Sequence, residues 1–320
     1  MRARDRWPQA CLLALASWSC AAADTGPLAF VSNQGDDTVS VVALDGGKTR
    51  AKLPVAEDPV GVAIDPRRRL VFVTSTKGRR LTSIDMDTLT VSQQVEAGIS
   101  PLGVVADSRA GRVYVADWDG NVVRVFDAVT LAPRGEYKTG AVPCGLALTP
   151  DGKRLLVANR DDNQVSVIDT TSGMTEARIA VGQAPFGVTM APNGQYAFVA
   201  NVQSDEITIL DLHALQPSTT LAVGDMPYAS AYDPLRGRLF VTNQSDGTVS
   251  VLDLVNLEEI ARVTVGDYPE GIDIAVEQRR VYVANWFSND LSVLDADTLQ
   301  VVATIPTGDG SRAVGQFIAH

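Results

Sequence analysis

From Leu28 onward, short apolar runs alternate with turn-forming clusters, and the alternation has a fixed period. Asn33, Ser75, Asp117, Asn159, Asn201, Asn243 and Asn285 lie 42 residues apart, seven copies in all. Each is preceded by one apolar run and followed by another, as in Val281-Tyr-Val-Ala-Asn285 and Leu291-Ser-Val-Leu-Asp295. One unit reads Pro185-Phe-Gly-Val-Thr-Met190, a turn at Pro192-Asn-Gly194, Ala197-Phe-Val-Ala200, Ile207-Thr-Ile-Leu210, then Thr219 to Val223. Four short runs divided by turn residues predict a four-stranded antiparallel sheet. A repeat of this length with several strands per unit predicts an all-β, seven-bladed β-propeller occupying 24–320 as one domain.

Each strand carries its own constraint. The second strand has valine at Val31, Val73, Val115, Val157, Val199, Val241 and Val283, each preceded by Phe, Tyr or Leu, so both faces are apolar. A blade packed between two neighbours requires this. The first strand places Gly61, Gly103, Gly145, Gly187, Ala229, Gly271 and Ala313 at one register, the small residues expected where seven backbones crowd an axis. The Asn series and the third-strand Asp85, Asp127, Asp169, Asp211, Asp253 and Asp295 are read as turn residues whose side chains accept backbone amides. The first-strand register recurs last at 311–318, while residue 28 already begins a second strand. The C-terminal strand is therefore expected to complete the N-terminal blade and leave no open edge.

The chain begins with Arg2, Arg4 and Arg6, the apolar run Ala10 to Ala16 and the small residues Ala21-Ala22-Ala23, the pattern of a cleaved signal peptide over 1–23. Export to the periplasm or the medium is expected. Trp18 and Ser17 disfavour lipidation of Cys20, and there is no Arg-Arg pair for twin-arginine export. Cleavage would leave Cys144 as the one cysteine, so no intramolecular disulfide is expected, and the absence of C-x-x-C-H excludes covalent c-type haem. The formal net charge is −11, and the leader is basic, so the remainder is more acidic still. Such a surface repels phosphate backbones.

The phrases Val281-Tyr-Val-Ala-Asn285, Val249-Ser-Val-Leu-Asp253 and Val265-Gly-Asp-Tyr-Pro-Glu-Gly271 resemble the YVTN-repeat, YncE-like β-propeller family over essentially the whole mature chain. The resemblance implies the seven-bladed ring. It leaves function open, because the broad group holds single-stranded-DNA binders, surface-layer proteins, accessory proteins of periplasmic redox systems and, more distantly, lactonases and quinone- or haem-bearing dehydrogenase subunits.

If recurring residues hold the ring, function belongs where the copies differ. Between the proline and the glycine stand Val60, Leu102, Cys144, Phe186, Tyr228, Glu270 and Arg312; after the Asn series stand Gln34, Thr76, Trp118, Arg160, Val202, Gln244 and Trp286. Together they form a candidate funnel whose aromatic faces and guanidinium groups suit a planar or anionic ligand or a partner's peptide. Glu270 and Arg312 lie on adjacent inner strands and are equally placed to pair with each other. Trp118 and Trp286 occupy a register where small or polar residues also serve, so packing does not demand them.

No catalytic residue, cofactor or metal is assigned. Cys144 beside Arg160 has no His within reach, since only His213 and His320 are present. That scarcity also argues against zinc or copper. Asp161 with Asp162 and Asp205 with Glu206 are read as solvated turns rather than a calcium site. Lys77, Arg79 and Arg80 make a basic loop in blade 2, read as solvated. The expectation is a monomeric, exported, non-catalytic binding or accessory protein that offers the funnel to a small ligand or periplasmic partner, with a link to a redox system. The alternatives are a lactonase-like hydrolase centred on Glu270, Arg312 and Arg160, and a single-stranded nucleic-acid binder, which the acidic charge opposes.

Overall fold

The computed structural model describes residues 26–319; the expected leader, Cys11, Cys20 and His320 lie outside them. The described residues form seven blades of four antiparallel strands, with no helix among them. Six blades are continuous in sequence: 59–96, 101–138, 143–180, 185–222, 227–264 and 269–306, blades 2 to 7. Blade 1 takes three strands from 28–54 and its innermost one from Ile318–Ala319, where Leu28 pairs with Ala319 and Ala29 with Ile318. The ring therefore closes as the repeat register requires. On its way there the C-terminal segment also runs parallel to the innermost strand of blade 2, pairing Val314 with Gly61.

Most of the recurring residues do what their registers predict. All seven second-strand valines are fully buried between blades. At each of the six third-strand aspartates one carboxylate oxygen accepts the amides two and three residues on, as Asp85 Oδ1 does from Asp87 at 3.0 Å and Thr88 at 2.8 Å. Of the Asn series, Asn33, Asn159 and Asn243 accept a glycine amide from the incoming loop, and Asp117 accepts those of Ile99 and Ser100. Asn201 and Asn285 instead use their amide groups to donate to Thr208 and Ser292, and Ser75 donates to the Ala56 carbonyl.

In blades 2 to 7 the ladder between first and second strands slips just after the proline, so the variable residue and the glycine form a bulge. The bulge turns that stretch toward the next blade. A Cβ on Gly187 would lie 2.5 Å from the Tyr228 carbonyl oxygen, and one on Gly61, Gly103, Gly145 or Gly271 would meet the corresponding carbonyl of its own neighbour. Close approach of backbones is thus the reason for the small residues.

Candidate functional site

The bulges carry the first variable ring into the axis, where it closes the channel. Val60, Leu102, Cys144, Phe186 and Tyr228 are buried and pack with Val202, Val314 and the partly buried Trp118 and Met226. What the sequence reads as a funnel wall is at this level a plug.

The polar members of the rings converge in the plug. Arg312 donates through Nε to Glu270 Oε2 and through Nη2 to Glu270 Oε1 at 3.0 Å and to the Tyr228 hydroxyl at 2.8 Å. Gln244 Nε2 donates to Glu270 Oε1 at 2.6 Å. Glu270 has no exposed side-chain surface and Arg312 keeps 11%. Burial pushes the Glu270 carboxyl up, opposed by Arg312 and Gln244. Desolvation works against the Arg312 charge, but Glu270 and Tyr228 outweigh it and hold the guanidinium protonated. The fork-like contact of two guanidinium nitrogens with two carboxylate oxygens is that of an ion pair, as the sequence register allows.

An arc of rings runs through the plug and out to the mouth. Arg160 sits over Trp118 at 5.8 Å and pairs with Asp161 at 2.8 Å. Trp118 meets Phe186 at 6.3 Å, and Phe186 stacks on Tyr228 at 4.0 Å. Beyond Tyr228 comes Arg312, whose guanidinium lies 4.8 Å over Trp286. Trp286 in turn contacts Phe287 at 4.8 Å and Tyr268 at 6.0 Å, and those two meet at 4.6 Å. Gln34, Trp118, Arg160, Trp286 and Arg312 keep partial exposure, whereas Cys144, Phe186, Tyr228, Glu270 and Gln244 are buried.

Two aromatic positions escape the sequence reading. Phe287 is 58% exposed, in a turn where the other copies carry Gly35, Lys77, Asp119, Asp161, Gln203 and Ser245. Tyr268 precedes Pro269, where the others carry Asp58, Ser100, Val142, Ala184, Met226 and Gly310. Comparing copies at these two further registers would have found both. A third missed series is architectural. Asp37, Asn121, Asn163, Asp205 and Asn289 have left-handed backbone and accept the amide 21 residues on, as Asn163 does from Ala184 at 2.8 Å. They pin the loops that frame the mouth.

Cys144 is fully buried, and its Sγ donates to the Val142 carbonyl at 3.2 Å. Burial pushes the thiol well above its ordinary range, and the Arg160 charge only tempers this. Cys144 in the native protein is expected to resist iodoacetamide and to react at the rate of a free thiol only in denaturant, as counted by intact mass; rapid native alkylation would contradict the burial. The acidic turns are occupied with turn hydrogen bonds: Asp162 accepts from Ala141 at 2.8 Å and Asp205 from Met226 at 3.0 Å. Among the described residues no three His, Cys, Asp or Glu side chains are grouped to hold a metal. In the basic loop, Arg79 pairs with Glu96 at 3.2 Å and Lys77 approaches Asp58 at 3.7 Å.

Two family models match parts of the chain, each less than half: the Cytochrome D1 heme domain over residues 224–314, and the seven-bladed β-propeller lactonase over 110–214. No curated protein matches. Among solved structures, Kuenenia stuttgartiensis hydrazine synthase is similar at TM-score 0.75 and 20% identity, over 84% of this chain and 92% of that one. A functionally unknown protein from Desulfotomaculum acetoxidans DSM 771 is similar at 0.77 and 16%, over 90% and 99%. The dihydro-heme d1 dehydrogenase NirN, in complex with DHE, is similar at 0.64 and 18%, over 87% of this chain and 63% of that one. At these identities the structural likeness establishes the fold alone. The chain is a seven-bladed propeller, parts of which match the haem d1 and lactonase propeller models.

The partial match to a haem d1 domain raises the question of which donors could hold such a group. His213 sits in an exposed turn at the far end of its strand, since Asn201 pairs with Glu206 at the mouth and Tyr196 with Asp211 opposite. Among the described residues the axis offers the buried Cys144 thiol, the Tyr228 phenol held by Arg312 and the packed Met226, and Phe186 stacks on Tyr228 between them. These residues do not fit an axially ligated haem in this arrangement.

Proposed function

We propose that the chain is an exported, non-catalytic binding propeller, an accessory protein that presents the mouth of its ring to a partner in a periplasmic redox system. One observation carries the reading: the polar groups at the axis are buried and mutually satisfied, while the mouth presents accessible aromatic rings, Phe287 above all. Glu270, buried at the axis, has its carboxylate engaged by Arg312 and Gln244, which favours a structural role over proton transfer. Exposed aromatic rings on a rigid frame are the usual anchors of association. The family-model match to a haem d1 propeller supports the redox setting, and the N-terminal sequence pattern supports export.

Two measurements test it. The purified protein is expected to leave a lactone panel unhydrolysed; turnover abolished by Glu270→Gln would make it a hydrolase. Protein tagged and recovered from its native exported fraction is expected to retain a component, identified by mass spectrometry, that Trp118→Ala or Phe287→Ala loses. Retention unaffected by either variant would place binding elsewhere.

A further inference from the structure

Trp286 and Phe287, both in contact with Tyr268, form one wall of a cleft of about 560 Å³ that runs across the mouth-side turns of blades 7, 1 and 2. Its other walls are acidic. Asp37, Glu57, Asp58 and Asp309 line it against a single cation, Lys77. Asp37 and Asp58 are partly committed, the first to the Asp58 amide and the second to Thr76 and Lys77. Glu57 and Asp309 are exposed, and among the described residues neither forms an ion pair. The frame is rigid: Gln34 and Gly35 donate to the carbonyls of Gly310 and Asp309 at 2.8 and 2.9 Å, and Gly310 donates to Asn289 at 2.7 Å.

Charge and shape select the occupant. An exposed ring beside unpaired carboxylates suits a cation that is flat and only weakly hydrated, which is the guanidinium group. The cleft is open and spans three blades, so a segment of chain fits it better than an isolated ion, and its negative field repels nucleic acid and acidic peptides. We propose that this cleft docks a basic, arginine-bearing segment of a partner protein, with a guanidinium laid on Phe287 and its charge met by Glu57 and Asp309. The inference rests on the binding reading above and names the chemistry of the partner.

The test uses the mature protein and a fluorescently labelled oligoarginine peptide, followed by anisotropy at low and at physiological salt, with an oligoglutamate peptide as control. Salt-sensitive binding of the arginine peptide alone is expected. Phe287→Ala should weaken it about tenfold, the loss of one stacked cation, and Glu57→Gln with Asp309→Asn by at least as much. Phe287→Ala changes no charge and removes a ring that is already exposed, so it separates docking from general attraction to an acidic protein. Binding that falls with the charge variants but ignores Phe287→Ala, or no binding at low salt, overturns the proposal. Self-association of the protein through Phe287, seen by sedimentation without peptide, also overturns it. If the native component is still lost in Phe287→Ala while oligoarginine does not bind, the mouth remains the binding face and only the basic partner is refuted.

Discussion

Arg312→Ala should destabilise the protein by about 3–5 kcal/mol near neutral pH, because it strands the Glu270 carboxylate inside the plug with Gln244 as its remaining donor. The loss should depend on pH. Burial already raises the Glu270 pKa, and removing Arg312 removes the charge that opposes the rise. A group whose folded pKa lies above its unfolded one supports the fold while protonated, and that support is lost as pH rises through the folded pKa. The variant's deficit should therefore be largest at and above neutrality and shrink toward pH 5, as urea unfolding at both values would measure. A deficit constant across that range would mean that the carboxylate is solvated in the variant. Replacing both partners, Glu270→Leu with Arg312→Met, should recover most of the stability, since neither charge then needs compensation.

The same network has a second role in the ring. Glu270 belongs to blade 7, Tyr228 and Gln244 to blade 6, and Arg312 to the returning C-terminal segment. The Arg312 backbone also donates to the Ser32 carbonyl of blade 1 at 2.9 Å and accepts from Gly271 of blade 7 at 2.9 Å. The ion pair thus fastens the segment that closes the ring. This explains why unlike residues can share one register: in blades 2 to 5 the position is filled by Val60, Leu102, Cys144 and Phe186, which pack, and at the closure it is filled by groups that lock.

The fold was legible because propeller constraints repeat. A valine buried between blades, an Asp that accepts two turn amides and a glycine against its neighbour's carbonyl recur seven or nearly seven times, so one unit explains the others. The two variable rings were equally legible as positions, and the Glu270–Arg312 pairing followed from their register. Depth was not legible. Whether Phe186 or Cys144 faces water depends on the bulge after each proline, which tips the variable residue into the axis; the glycine marks the bulge but not its direction. Tyr268 and Phe287 were missed for a related reason: they sit in loops, where the period places a residue but gives no direction for its side chain.

Gly145→Ala should cost about 3 kcal/mol, the upper end for overpacking, although it adds a single methyl. The new Cβ would fall on the Phe186 carbonyl oxygen, a backbone atom in the bulge of the next blade's innermost strand, where no rotamer change gives relief. Gly46→Ala, whose Cβ meets nothing within 4 Å, should be nearly neutral and serves as the control. Ala229, at the register of Gly145 two blades on, shows that the constraint is local. There Thr242 Oγ1 accepts the Ala229 amide at 3.1 Å and donates to the Glu270 carbonyl at 3.0 Å, bridging to the next blade. Gly103 presses on the Cys144 carbonyl just as Gly145 presses on that of Phe186, so the two sites share the strand at 143–148. The double variant Gly103→Ala with Gly145→Ala should therefore cost less than the two single losses together, because a strand already displaced by one methyl has partly made room for the other. Chemical unfolding of the four proteins measures this directly, and strict additivity would mean that each blade yields independently of its neighbour.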